Sequence, residues 1–582
     1  MYVLEDFTLV GMIEKSGKRY ANLPALSMVG GERFSYGDIE KHSARMAAIL
    51  ASQGIQKGDK IALLAENSPH WGIAYFGILR AGAVVVPILT DFTAVQIGNI
   101  IVHSETKAII CSDKLFQKIR MLEHSALILD IKDAAPRDWA NEGRSVQQPP
   151  RADLSNFKLI SPEPDDLAML VYTSGTTGLS KGVMLSHRNI LSNALGCRSI
   201  IILHRTDRLL SILPLAHTYE FTIGFVIPLL SGSHIHYLDR PPSATVLLPA
   251  LKAVRPTIML SVPLVIEKIY RSNIKPTLEG MKLYSSTVFK PLLIRFAGIK
   301  LKKTFGGRIR FFGVGGAPLS ADVEEFLKKA GFPYAIGYGL TESSPLLAGC
   351  PPSRTFLHST GPALKGVEIR IADPSAGTGA GEIQAKGANI FKGYFKDPER
   401  TKEAFTEDDW FRTGDLGFVD AKGRVFVKGR IKTMILGASG ENIYPEEIEA
   451  VLNQSPYVAE SLVVDGEAGL TAYVYLKSEV LENLEARIQD GLDAAEDISS
   501  RMGSALVNAE KSVVHSLGQA WGDAEKAAGR LLETIRKETN AKLTSFSRIR
   551  TIKLQESPFE KTPTQKIKRF LYSSAGESKT KP

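Results

Sequence analysis

Ten residues constrain the local architecture of this chain more than any others: Thr173-Ser-Gly-Thr-Thr-Gly-Leu-Ser-Lys-Gly182, small hydroxyls and glycines around one lysine. Before them, Ala168 to Tyr172 is a short apolar run that reads as a buried strand, and after them Gly182 to Leu185 begins another, so the loop hangs from rigid structure. Gly175 and Gly178 let backbone N–H groups approach an anion closely; Thr173, Ser174, Thr176 and Thr177 add hydroxyl donors and Lys181 adds charge. The composition is that of a polyphosphate cradle. It does not follow G-x-x-x-x-G-K-[ST], in which the lysine directly succeeds the second glycine, so a P-loop nucleotidase is excluded. The flanking apolar runs and the specific lysine disfavour a flexible linker.

A chain of 582 residues exceeds what one core supports, so at least two domains are expected, and 44% hydrophobic residues suffice to fill them. Up to about residue 428 strand-like runs alternate with helical patterns, as a parallel-sheet α/β body requires. Cys111, Cys197 and Cys350 are far apart and have no metal spacing; they read as core thiols in a reducing compartment. The start, Met1-Tyr-Val-Leu-Glu-Asp, lacks the features of a secretory signal, and the expectation is a cytoplasmic protein. Trp71 to Leu89, the most apolar long run, contains Gly77, Arg80, Gly82 and Pro87, and predicts a core helix followed by a buried strand rather than a membrane span. The formal net charge is +9, and Ala541 to Pro582 alone holds ten Lys/Arg against three Asp/Glu. No aromatic-interleaved basic platform accompanies it, so nucleic acid is not expected; phosphates of small ligands are the simpler partners, with peripheral contact at the inner face of an anionic membrane as the second option.

Seven motifs in order carry a resemblance that spans almost the whole chain. After Thr173–Gly182 come Leu213-Pro-Leu-Ala-His-Thr-Tyr-Glu220, Gly315-Gly-Ala-Pro318, Gly337-Tyr-Gly-Leu-Thr-Glu342, Trp410-Phe-Arg-Thr-Gly-Asp415, Gly429-Arg-Ile-Lys432 and Lys561-Thr-Pro-Thr-Gln-Lys-Ile-Lys568. Together they resemble the AMP-forming adenylating enzymes, the superfamily of acyl-CoA synthetases, peptide-synthetase adenylation domains and beetle luciferases. The resemblance implies a large N-terminal α/β body over 1–428 with sheets flanked by helices, a hinge at 429–433, and a small mobile α+β cap over 434–582. The form Thr564-Gln565 before Lys566, the Leu213–Glu220 segment and Ser261 to Tyr270 resemble the long-chain fatty acyl-CoA synthetase branch, while Leu264 stands where many of that branch have arginine.

What the resemblance implies for the site is a division of labour. Thr173 to Lys181 would cover the terminal phosphates of ATP, and Glu342, assisted by Thr341, would hold Mg²⁺, a hard ion suited to carboxylate and phosphate oxygens. Gly315, Gly316 and Ala317 would let adenine lie against backbone, Tyr338 and Gly339 would flank it, Asp415 would accept both ribose hydroxyls, and Arg430 would contact ribose or phosphate. Lys566 would reach the α-phosphate and carboxylate oxygens during adenylation, Lys432 would be the turning point of the cap, and Gly440 would give clearance for the pantetheine of CoA. His217 either orients the acid or assists the thiol, or gates and packs; Lys568 and Arg569 read as a solvated basic patch. The activity implied is acid–thiol ligation of a fatty acid, with an aryl or shorter acid, or a carrier-protein acceptor, as alternatives. A non-catalytic lipid-binding scaffold and a luciferase-like oxygenase are the weaker readings; a homo-oligomer is allowed.

Within the cap, helical segment 482–537 has its own pattern. Leu484, Ala495, Leu506, Leu517 and Ala528 recur every eleven residues, as do Met502, Val513, Ala524 and Ile535, which places them on one narrow stripe. A helical hairpin broken at Gly503 or Gly518 is expected, packed on the cap or across an oligomer contact.

Overall fold

The computed structural model describes residues 6–136, 160–173, 181–436, 442–466, 469–482, 528–561 and 567–572. Its chain divides into two compact units, Met1–Val427 and Lys428–Pro582.

The first unit is built on three sheets flanked by helices, an α/β architecture. One sheet has eight strands in the order Leu346–Gly349, Tyr334–Gly339, Phe311–Val314, Ile258–Ser261, Arg208–Ser211, His234–Tyr237, Pro24–Met28 and Arg33–Ser35. Its inner strands pair in parallel and its two edges are antiparallel. A six-stranded sheet runs Leu127–Asp130, Thr106–Cys111, Lys60–Leu64, Val84–Pro87, Leu167–Thr173 and Lys181–Ser186. Val84–Pro87, and Ile61 to Leu64 after Lys60, read as unbroken apolar runs, as strands buried on both faces of a parallel sheet do. A five-stranded sheet over 361–430, with antiparallel pairings, follows, its strand Arg424–Arg430 running past the end of the unit at Val427.

Helix Pro69–Arg80 and strand Val84–Pro87 account for the most apolar stretch of the sequence. Ser68 caps the helix by accepting from the Trp71 amide, and Pro69 stands at the first helical position, where a missing N–H costs nothing. Arg80 points inward, donating to Glu14 at 3.0 Å and Glu40 at 2.8 Å, so the charge that interrupts the run is buried and paired. No described helix is long and apolar enough to cross a membrane. Against Pro69–Arg80 packs a π-helix, Glu220–Val226, with the Tyr75 and Phe221 rings 4.6 Å apart and the Phe76 and Phe225 rings stacked at 5.6 Å. Cys111, Cys197 and Cys350 are buried free thiols.

The second unit centres on strands Val458–Gly466, Gly469–Leu476 and Thr551–Leu554, with helix Pro445–Leu452 beside them. Much of the basic C-terminal segment belongs to this core. Thr551–Leu554 pairs in parallel with Gly469–Leu476, and Ile549 and Phe559 are buried. The expectation of a solvated patch at Lys568 and Arg569 is corrected: Arg569 is paired with Glu449 and Glu446, and Lys568 with Glu560 at 3.0 Å. Buried Glu449 requires a cation, and the chain's end supplies it. Of the eleven-residue pattern, residues 483–527 lie outside the described part; residues 528–540 are helical, and Ile535 is fully buried in the unit's own core.

Candidate active site

Strands Leu167–Thr173 and Lys181–Ser186 pair antiparallel and bring Thr173 opposite Lys181. Ser174, Gly175, Thr176, Thr177 and Gly178, between them, lie outside the described residues. A segment remote in sequence, residues 392–395, fixes what faces Lys181. Lys392 N donates to Met184 O at 3.0 Å and Phe395 N to Gly182 O at 2.8 Å, so residues 392–395 extend the hairpin edge and set Tyr394 beside the lysine. The Lys181 ammonium sits 4.8 Å from the Tyr394 ring centroid, and the Tyr394 hydroxyl donates to Glu342 Oε1 at 2.9 Å. One tyrosine therefore links the root of the glycine-rich loop to the acidic end of Gly337–Glu342.

Glu342 rides on the short 3₁₀ turn Thr341–Ser343, which two distant asparagines hold. Asn193 Nδ2 donates to Ser343 O at 3.1 Å and Leu346 O at 2.7 Å, and Asn389 Nδ2 donates to Ser343 O at 2.9 Å. The Thr222 hydroxyl of the π-helix donates to Ser344 O at 2.8 Å, tying the turn to the Leu213–Glu220 segment. Thr341 and Glu342 themselves are half-buried.

The adenine and ribose candidates also meet. The Tyr338 hydroxyl, on strand Tyr334–Gly339, donates to Asp415 Oδ2 at 2.8 Å; both residues are buried, and Gly339 is exposed at the strand's end. Strand Phe311–Val314 delivers Gly315, Gly316 and Ala317 to its C-terminal end. Gly316 has φ 86°, a left-handed conformation that disfavours any other residue, and Gly316, Ala317 and Pro318 are exposed. Gly315 is buried, with the Tyr219 ring where a Cβ would stand, 3.1 Å away. His217 accepts the Tyr219 amide on Nδ1 at 3.2 Å, so the neutral ring carries its proton on Nε2. Glu220 is 2% exposed, its Oε2 has no partner, and burial lifts its carboxyl to about 8, opposed only by the Ser211 hydroxyl.

Arg430 and Lys432 belong to the second unit, exposed at and just after the end of strand Arg424–Arg430. Gly440 and Lys566 lie outside the described residues. Sequence reasoning missed Tyr394, Asn193 and Asn389, whose partners are remote in the chain and whose neighbours in sequence, mixed polar and apolar, do not mark them.

Comparison with known proteins gives the family. The model of the family "AMP-binding enzyme" matches residues 13–395. A long-chain-fatty-acid–CoA ligase of Mycobacterium bovis, FadD15, is 30% identical, with 90% of this chain and 88% of that protein covered. A 4-coumarate–CoA ligase of Petroselinum crispum is likewise 30% identical, over 75% of this chain and 78% of that one. Among solved structures, ATP-bound MatB from Rhodopseudomonas palustris superposes with a TM-score of 0.71 at 25% identity, covering 97% of this chain and 98% of its own. The chain belongs to the AMP-binding enzyme family, the superfamily of AMP-forming adenylating enzymes.

Proposed function

We propose that the protein is an ATP-dependent acid–thiol ligase acting on a fatty acid. In the first step a carboxylate oxygen attacks the α-phosphorus of ATP and the bond to pyrophosphate breaks; in the second the CoA sulfur attacks the acyl carbonyl and the bond to AMP breaks. The observation that carries this reading is the run of contacts from Lys181 through Tyr394 to Glu342, which sets a cation against the ring of one tyrosine and a carboxylate at its hydroxyl, at the end of the glycine-rich segment. Such an arrangement suits a triphosphate that needs charge on one flank and a divalent ion on the other.

The donor set fits Mg²⁺. No group of three or more His, Cys, Asp or Glu side chains converges among the described residues, so an all-protein cage is absent there; a single carboxylate, with Thr341 adjacent, suits an ion that takes its other ligands from phosphate and water. Glu342 and Thr341 would hold it, and when bound it supplies positive charge against the β- and γ-phosphates. Asp415, oriented by Tyr338, would accept the ribose hydroxyls, while Gly315, Gly316 and Ala317 give the purine a surface free of large side chains. Lys566 would stabilise the charge on the α-phosphate in the adenylation step, and rotation about Lys432 would bring Gly440 to pantetheine for the second. His217, proton on Nε2, would donate to the acid's oxygen.

A second reading, activation of an aryl or shorter acid, is supported by the 4-coumarate ligase, which has the same 30% identity as the long-chain ligase over a shorter stretch, 75% of this chain against 90%. One experiment separates the two. AMP and acyl-CoA are measured with ATP, Mg²⁺, CoA and carboxylic acids from acetate and benzoate through coumarate to oleate. The expectation is that AMP and acyl-CoA rise together with a long-chain optimum, and that Lys566→Ala and Glu342→Gln each lose on the order of 100-fold or more in rate. An optimum at an aromatic or short acid replaces the substrate; no AMP with any acid overturns the reading.

A further inference from the structure

Helix Phe289–Thr304 has two unlike faces. Ile294, Gly298 and Leu301 are buried, and Gly298 seats the helix so closely that a Cβ there would lie 2.2 Å from the Ala330 carbonyl oxygen. On the outward side Val288, Phe289, Leu292, Phe296 and Ile299 recur at helical spacing, each between 45% and 70% exposed. Met281 and Leu283, just before the helix, are exposed as well. An apolar ridge of this size on a helix held firmly from behind calls for a cover.

Charge says what the cover is. Residues 280–321 contain eight Lys/Arg and no Asp or Glu. Arg310 is paired with Asp207, but Lys282, Lys290, Arg295, Lys300, Lys302, Lys303 and Arg308 are exposed and make no ion pair with a described residue. At about 100° per residue, Arg295 and Lys302 flank the ridge on one side and Lys300 on the other. A second copy docked face to face would set these cations against their own counterparts. Nucleic acid would meet bulky aliphatic and phenyl groups where it needs donors. A convex ridge of Phe, Leu and Ile between cations matches a fluid surface that is apolar beneath and anionic above.

We infer that helix Phe289–Thr304 is an interfacial membrane anchor, with Phe289, Leu292, Phe296 and Ile299 entering the acyl boundary of an anionic bilayer while Arg295, Lys300, Lys302 and Lys303 meet its phosphates. This places membrane contact on the first unit, whereas the basic C-terminal segment spends several of its cations on internal pairs. The inference stands apart from the chemistry at the nucleotide residues, and its test uses neither ATP nor acid.

The full chain is floated with vesicles of phosphatidylcholine alone and of an equimolar mixture with phosphatidylglycerol. The expected result is co-flotation with the mixture and not with phosphatidylcholine. Leu292→Glu with Phe296→Glu lowers partitioning at least tenfold, and Lys300→Gln, Lys302→Gln and Lys303→Gln together lower it on the order of 100-fold. Both variants keep the wild-type unfolding midpoint, since every altered side chain is exposed, whereas Arg548→Gln, Arg550→Gln and Lys553→Gln leave flotation unchanged. Failure of the wild type to float with the mixture, flotation that follows the C-terminal variant instead, or a wild-type dimer in sedimentation that Leu292→Glu with Phe296→Glu dissociates, would each overturn the assignment.

Discussion

Glu220→Gln isolates the energetics of a carboxyl that the fold keeps from water. Glu220 is 2% exposed, packed against Gly224, whose added Cβ would stand 2.8 Å from its Cδ, and its Oε2 finds no donor. Burial raises its pKa from 4.5 to about 8. Between those values the unfolded chain releases the proton and the folded chain keeps it, so stability falls as pH rises, by about 1.4 kcal/mol per unit, and levels off above the folded value. Glutamine is neutral throughout and has no such slope. Unfolding by urea, followed by Trp71 and Trp410 in the same unit, is measured for both proteins from pH 5 to pH 8. The two unfolding free energies are expected to diverge by roughly 4 kcal/mol across that range, the variant being favoured at the alkaline end. Curves that stay parallel to within about 1 kcal/mol would refute the reasoning, because they would mean that Glu220 is ionised in the folded protein and has a partner or water at Oε2.

Tyr394→Phe removes the donor to Glu342 while keeping the ring beside Lys181; kcat/KM for ATP is expected to fall about tenfold with the unfolding midpoint nearly unchanged, the size of one hydrogen bond to a charged group. Tyr338→Phe frees Asp415 from its orienting hydroxyl, and KM for ATP should rise several-fold while KM for the acid stays constant, as steady-state kinetics with each substrate varied will show. Arg80→Ala empties a buried volume and takes the donor from the Glu40 carbonyl and the Ser43 hydroxyl, while Glu14 and Glu40, each over a third exposed, keep water; a loss of about 2–4 kcal/mol in denaturant unfolding is expected. Arg80→Lys recovers only part of it, since one ammonium does not fork to two carboxylates.

The α/β character of the chain was legible because its cues are local. Val84–Pro87 is apolar at every position, and the helix before it begins with Ser68-Pro69, a cap and a preformed turn. The order of motifs likewise named Lys181, Glu342, Tyr338 and Asp415 before their geometry was known. What it could not supply was the tyrosine between the first two or the hydroxyl contact between the last two, because each depends on chain segments tens to hundreds of residues apart meeting in space.

The basic end of the chain shows why charge counted along a sequence misleads in a particular direction. Ten cations against three acids over 541–582 suggest a free patch, yet Lys561 pairs with Glu460, Lys568 with Glu560 and Arg569 with Glu449, residues from within the segment and from a strand and helix a hundred residues earlier. The equally long segment 280–321 has fewer cations, eight, but no acids, and its helix turns its cations outward, where no described acid meets them. A cation's availability depends on which acids the fold carries to it, and periodicity within its own helix does not report that. The same limit applies to apolar residues: Leu292, Phe296 and Ile299 have a spacing that in sequence means an inward face, and only the close seating of Gly298 on Ala330 decides that the opposite side of this helix is the one that packs.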